Sequence, residues 1–92
     1  MITEGIDDLN AGRETIASLL VSIGSPRLRE LGFPIKKQIF EQPEHRLYLL
    51  LAETDPDSAH SRYNALIRRL VSFERSAARF QSENSGLINT PS

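Results

Sequence analysis

The stretch from Ala59 to Phe80 constrains this chain more than any other part of it. Ala59, Tyr63, Leu66, Leu70, Phe73, Ala77 and Phe80 recur at alternating four- and three-residue spacing, and no Gly or Pro falls between Asp57 and Gln81. That period draws one apolar stripe along an α-helix. Ile67 and Val71 widen the stripe on one side, so the helix buries more than a narrow coiled-coil seam. Before it, Asp55 is placed as an N-cap, Pro56 suits the first helical position, and Asp57 favours the positive end of the helix dipole. The helix is expected to end near Gln81, where "SENSGLINTPS" loses all periodicity. The expected organisation is one helical domain over residues 1–83 with a flexible tail over 84–92.

The first third of the chain carries a second stripe. Ile2, Ile6, Leu9, Arg13, Ile16, Leu20 and Ile23 keep the same spacing, interrupted only by Arg13. Gly5 and Gly12 each weaken a helix by roughly 1 kcal/mol relative to alanine, so "NAGRE" reads as a kink or break, with Asn10 capping a second piece. Gly24 and Pro26 then read as a stop. "SPRLREL" follows as a short separate helix, with Ser25 as N-cap, Pro26 at the first position and Gly32 closing it.

Residues 34–53 admit two readings. Phe33, Ile35 and Ile39 lie on one face at period two, "EQPEH" serves as a turn, and "RLYLLLAE" returns as a strand. That hairpin would make the chain α+β and would resemble the wing of a winged-helix DNA-binding domain. Only "SPRLRE" remains upstream for a recognition helix, however, barely two turns where about three are usual. The other reading rests on composition: "EHRLYLLLAE" holds no Val, Ile or Thr and favours helix. Pro43 suits a first helical position, and Leu47, Leu50 and Leu51 share a face. The helical reading is adopted, giving a small all-α bundle with a long heptad-patterned C-terminal helix.

Composition narrows the class. The chain has 92 residues, one small domain, and a net charge of −1, which gives no global pull toward nucleic acid or anionic membrane. The absence of cysteine excludes disulfides, thiolate metal sites and cysteine nucleophiles. The N-terminus is acidic where a secretory signal would be basic, and the longest apolar run, "LYLLLA", is far short of the roughly 20 residues that span a bilayer. A cytoplasmic protein without membrane contact is expected.

Three constellations could carry chemistry or contacts. Arg68, Arg75 and Arg79 line one exposed stripe of the last helix, either a phosphate-tracking ridge or a solvated face. The heptad seam of Tyr63, Leu66, Leu70, Phe73, Ala77 and Phe80 suits either intramolecular packing or pairing with a second copy, where Arg69 and Glu74 would meet across a parallel dimer. Glu53, Asp55, Asp57 and His60 cluster at a helix start, but each has a capping or dipole role, and no EF-hand spacing is present. His45 reads as a surface residue, and Arg13 as a group that snorkels or pairs with an acid. No catalytic triad, phosphate loop or metal motif occurs, so neither an enzyme nor a cofactor or metal requirement is expected.

The residues Glu41-Gln42-Pro43-Glu44-His45, with Pro34 upstream and helices on either side, resemble a fragment of the theta-type subunit of bacterial DNA polymerase III. That family is a small helical protein that binds the proofreading exonuclease, so the resemblance implies a helical fold and a protein partner. It covers about a dozen residues; the proline spacing differs, and the long helix after Asp55 has no counterpart in it. The expectation for the whole chain is a non-enzymatic helical interaction module, an adaptor, inhibitor or regulator. It would be homodimeric through its C-terminal helix and bind a protein partner; the alternative is a small nucleic-acid-binding regulator.

Overall fold

Four helices account for the fold: α1 (Ile2–Asn10), α2 (Ile16–Glu30), α3 (Pro43–Thr54) and α4 (Ala59–Asn89). The computed structural model describes residues 1–36 and 40–89, and among them there is no strand. The all-α expectation therefore holds. α3 occupies the segment that the hairpin reading made a return strand. Lys37, Gln38 and Ile39 lie outside the described residues, and with them the period-two face that included Ile39. No helix among the described residues is long and apolar enough to cross a membrane.

The break at "NAGRE" is real, and its chemistry is specific. Gly12 adopts φ +79°, a left-handed conformation that costs glycine little. Its N–H bonds the Leu9 carbonyl at 3.0 Å and the Arg13 N–H bonds the Asp8 carbonyl at 2.8 Å, the paired bonds that close a helix C-terminus. Contrary to the expectation from sequence, the cap of the next helix is Thr15 and not Asn10. The Thr15 hydroxyl accepts from the Ser18 N–H at 3.1 Å, while the Ser18 hydroxyl accepts from the Thr15 N–H at 2.7 Å. Asn10 instead clamps the extended segment after α2: its Nδ2 donates to the Pro34 carbonyl at 2.9 Å, and its Oδ1 accepts from the Lys36 N–H at 2.8 Å.

The expected stop at Gly24 and Pro26 is absent. α2 runs unbroken to Glu30 with Pro26 inside it, so "SPRLREL" is its last two turns and Ser25 is a buried interior residue rather than a cap. Pro26 removes the N–H that the Ser22 carbonyl would accept, an interior cost of roughly 3 kcal/mol. Burial outweighs it: Leu19, Leu20, Val21 and Leu28 are all 0 % exposed. Gly24 is a packing notch. A Cβ there would lie 2.8 Å from the Leu70 side chain of α4. The helix does close at Gly32 as expected, with φ +91° and Phe33 N–H bonding the Leu28 carbonyl at 3.0 Å.

α1 runs antiparallel to α2, with Gly5 against Ala17 and Val21. α4 runs parallel to α2, Gly24 facing Leu70 and the Gln81 amide donating to the Leu31 carbonyl. α3 makes the return path. Leu47 and Leu51 are fully buried and Leu50 half-buried, and Tyr48 meets Tyr63 of α4 edge-on at 6.3 Å between ring centres. α4 continues past its expected end near Gln81 to Asn89. Propagating an established helix adds one hydrogen bond per residue fixed, and Gly86 is the lone breaker before Pro91.

Gly5 separates two physical accounts of α1. Were it merely a weak helix residue, alanine would stabilise by up to about 1 kcal/mol. The structure requires the opposite sign. An alanine Cβ would clash with the Ala17 backbone carbonyl and sit 2.6 Å from Val21 Cγ2. Gly5→Ala is expected to destabilise by about 1–3 kcal/mol, read as a fall in the urea midpoint.

Candidate functional site: a groove between α1 and α4

Because α1 and α4 both lean on α2 and scarcely touch each other, a groove remains between them. It consists of two adjoining cavities of about 480 and 580 Å³ that share Met1, Ala65 and Arg69. Ile16, Ala17 and Leu20 of α2 form its floor. Leu66 and Phe73 line the α4 wall, half-buried, with Arg62, Arg68 and Arg69 exposed along the rim. Met1, Ile2, Glu4 and Asp8 line the α1 wall.

The two walls differ in charge. Asp8 is already engaged: its carboxylate accepts from the Thr15 hydroxyl at 2.9 Å and from Arg13 Nε at 3.0 Å. The Thr15 bond first, and then Arg13, hold its carboxyl below the usual 3.8. Arg13 thus pairs with an acid, as its place in the stripe suggested. On the α4 wall Arg62 donates a long 3.4 Å bond to the Thr54 hydroxyl, and Arg68 one of 3.4 Å to the Asn64 carbonyl. Among the described residues neither Arg68 nor Arg69 has a carboxylate partner. The groove is apolar below and cationic along one edge.

The residues singled out from the sequence separate here. Leu70 is 3 % exposed in the protomer's own core; Tyr63, Leu66, Phe73 and Ala77 are half-buried, and Phe80 is 64 % exposed. Phe73 stacks at 5.4 Å on Phe33. Most of the seam therefore packs within the chain itself, leaving Phe80 outside. Arg68, Arg75 and Arg79 are all exposed on the side of α4 away from the core, and of the three only Arg68 reaches the groove. Arg62 and the α1 and α2 lining were not legible in the sequence, since nothing local fixes how far α1 stands from α4. A spacing signal for Arg62 does exist: Arg62, Leu66, Arg69, Phe73, Ser76 and Phe80 recur at four-three spacing, one step around the helix from the buried seam.

The acidic cluster stays apart from the groove. The Asp55 carboxylate accepts from the Ser58 hydroxyl at 2.6 Å, which, together with the Ser58 and Asp57 N–H groups, lowers its pKa below 3.8. It caps the turn before α4 rather than α4 itself, which starts at Ala59. Glu53 faces a shallow depression with Glu14 and Arg46. Among the described residues no group of three or more His, Asp or Glu side chains is arranged to hold a metal ion. His45 is exposed in the first turn of α3.

The chain matches no protein-family model, no curated protein and no solved structure. The likeness at residues 41–45 rests on those residues alone. In the structure Gln42 takes φ 46° and Pro43, Glu44 and His45 are the first residues of α3.

One carboxylate on the opposite side of α4 reports on the α2–α4 contact. Glu74 is half-buried beside Gly24, and burial raises its pKa above 4.5, with Arg27 partly opposing. A raised folded-state pKa favours the neutral acid, so this contribution is complete below about pH 4 and is lost as pH rises through the folded value. Glu74→Gln is expected to raise the Tm at pH 7, with the two proteins converging near pH 4. Solvent screening keeps the gain under about 0.5 kcal/mol, or roughly 2–4 °C. Thermal denaturation at the two pH values measures it.

Proposed function

We propose that the protein is a non-enzymatic helical interaction module, an adaptor, inhibitor or regulator that presents the groove-facing side of α4 to another macromolecule. The observation that carries the reading is the state of that side: Phe80 is 64 % exposed, Leu66 and Phe73 are half-buried in the groove wall, and Arg62, Arg68 and Arg69 are exposed along its rim. Interface hot spots are enriched in aromatic and arginine side chains. α4 holds five arginines and no lysine. Arginine binds through a planar, weakly hydrated fork that lies flat on apolar surface, whereas lysine stays solvated. Self-association through α4 and a cytoplasmic setting belong to the same reading.

The competing reading is nucleic-acid binding through Arg68, Arg75 and Arg79, which line one exposed stripe. Affinity capture from the native host, with and without nuclease, separates the two. A protein partner that survives nuclease is expected. Collapse of recovery with nuclease would transfer the function to the arginine stripe, and Arg68→Glu with Arg75→Glu would then abolish a binding that falls steeply between about 50 and 200 mM salt.

A further inference from the structure

The stripe Arg62, Leu66, Arg69, Phe73, Ser76, Phe80 has an internal order that its spacing alone does not require. Both cations lie in the N-terminal half and both rings in the C-terminal half. Phe80 and the two arginines are exposed, while Leu66 and Phe73 are half-buried in the groove wall that faces α1. The stripe also matches its own reverse. About residue 71, position 62 faces 80, position 66 faces 76, and position 69 faces 73. A copy of α4 laid antiparallel on the first would thus set each arginine against a phenylalanine and each Leu66 against a Ser76.

From this order we infer that two copies of the protein associate through α4 in antiparallel register, with Arg62 over Phe80 and Arg69 over Phe73 of the other copy. This rests on the interaction-module reading and specifies its first occupant. A two-fold interface must be self-complementary, and the stripe meets that condition in its two arginine–phenylalanine layers. The orientation follows from charge. A parallel pair would stack Arg62 on Arg62 and Arg69 on Arg69, whereas the antiparallel pair puts every cation on a ring face, where the quadrupole attracts it. The protein already makes such a contact within itself: the Arg46 guanidinium lies 5.5 Å from the Phe40 ring centre. The parallel pairing of Arg69 with Glu74 expected from the heptad does not compete, because Glu74 is half-buried between α2 and α4. The stripe is about 27 Å long at 1.5 Å per residue, which places the contact at the low end of stable interfaces. The dimer is therefore weak and concentration-dependent.

Sedimentation equilibrium of the full chain from about 10 to about 500 µM tests the association, since interfaces of this size class are concentration-dependent. The mass should rise from that of the 10.3 kDa monomer toward twice that value. Phe80→Arg should weaken the dimer about tenfold or more by placing a cation against Arg62. Phe80→Glu should remain within about threefold of the parent, because its carboxylate meets that same arginine. Register is read by disulfide cross-linking, which is clean because the chain has no cysteine of its own. A mixture of the Arg62→Cys and Phe80→Cys proteins should cross-link. Neither should do so alone, since like positions stand about 27 Å apart in the antiparallel pair. Both sites are exposed, and circular dichroism verifies that the variants fold. A monomer at the highest concentration overturns the inference, as do cross-links within either single variant, or Phe80→Glu proving as weak as Phe80→Arg. A monomer that still captures a nuclease-resistant partner removes the self-pairing while leaving the interaction-module reading in place.

Discussion

Everything in this fold leans on α2, and a helix covered on several sides cannot carry large side chains on all of them. The composition of α2 solves that problem face by face. Toward α1 it presents Ala17 and Val21, and α1 answers with Gly5 so that the two backbones approach closely. Toward α4 it presents Gly24, into whose notch Leu70 fits. A second side carries Ser18, Ser22 and Ser25, all nearly or fully buried, and the Ser22 hydroxyl accepts the Phe40 N–H at 3.0 Å. Small residues on these two sides leave Leu19, Leu20 and Leu28 to supply the apolar volume. Burial of that kind, at about 25 cal/mol per Å² of apolar surface, is what lets the helix carry an interior proline and a glycine.

The same arrangement explains why a groove exists. Asp8 ties the end of α1 to the start of α2 by accepting from Thr15 and Arg13, so α1 is held by its last turn and by the Gly5 contact. α4 is held farther along the same side of α2, from Gly24 to the Gln81–Leu31 bond. α1 covers the first half of that side and α4 the second, so between them the apolar floor of Ile16, Ala17 and Leu20 stays open to solvent. The groove is a geometric consequence of where the glycines permit close approach.

Much of this architecture was legible beforehand, for reasons that can be named. α4 could be read because twenty-odd residues kept one period with no breaker between Asp57 and Gln81. The turns at Gly12 and Gly32 could be read because a positive φ is a local demand that glycine meets. The start of α3 could be read from Pro43, whose fixed φ suits a first turn. What failed was the tripeptide Gly24-Ser25-Pro26. On a helix with one free face those residues end it; on a central helix the same glycine and serine are notches, and tertiary burial overrides propensity. The groove failed for a related reason. Met1, Ile16 and Arg62 are far apart in sequence, and only the tilt between α1 and α4 brings them to one place.

The use of arginine along the exposed edge of α4 follows from the smallness of the protein. A chain of this size buries only about two thirds of its unfolded surface, so some apolar area of a wide stripe must remain outside. Bare, such an edge would aggregate; capped with lysine, it would be soluble but inert. Arginine at positions 62 and 69 does something intermediate, because its guanidinium is weakly hydrated yet always charged. In the free protein it keeps water on the flank of Leu66 and Phe73. Against a ring, its flat face loses little solvation on contact, so the residue that keeps the monomer dissolved is also suited to its association. In the proposed antiparallel pair, the separation of arginines from phenylalanines along the helix would set each cation against a ring rather than against another cation.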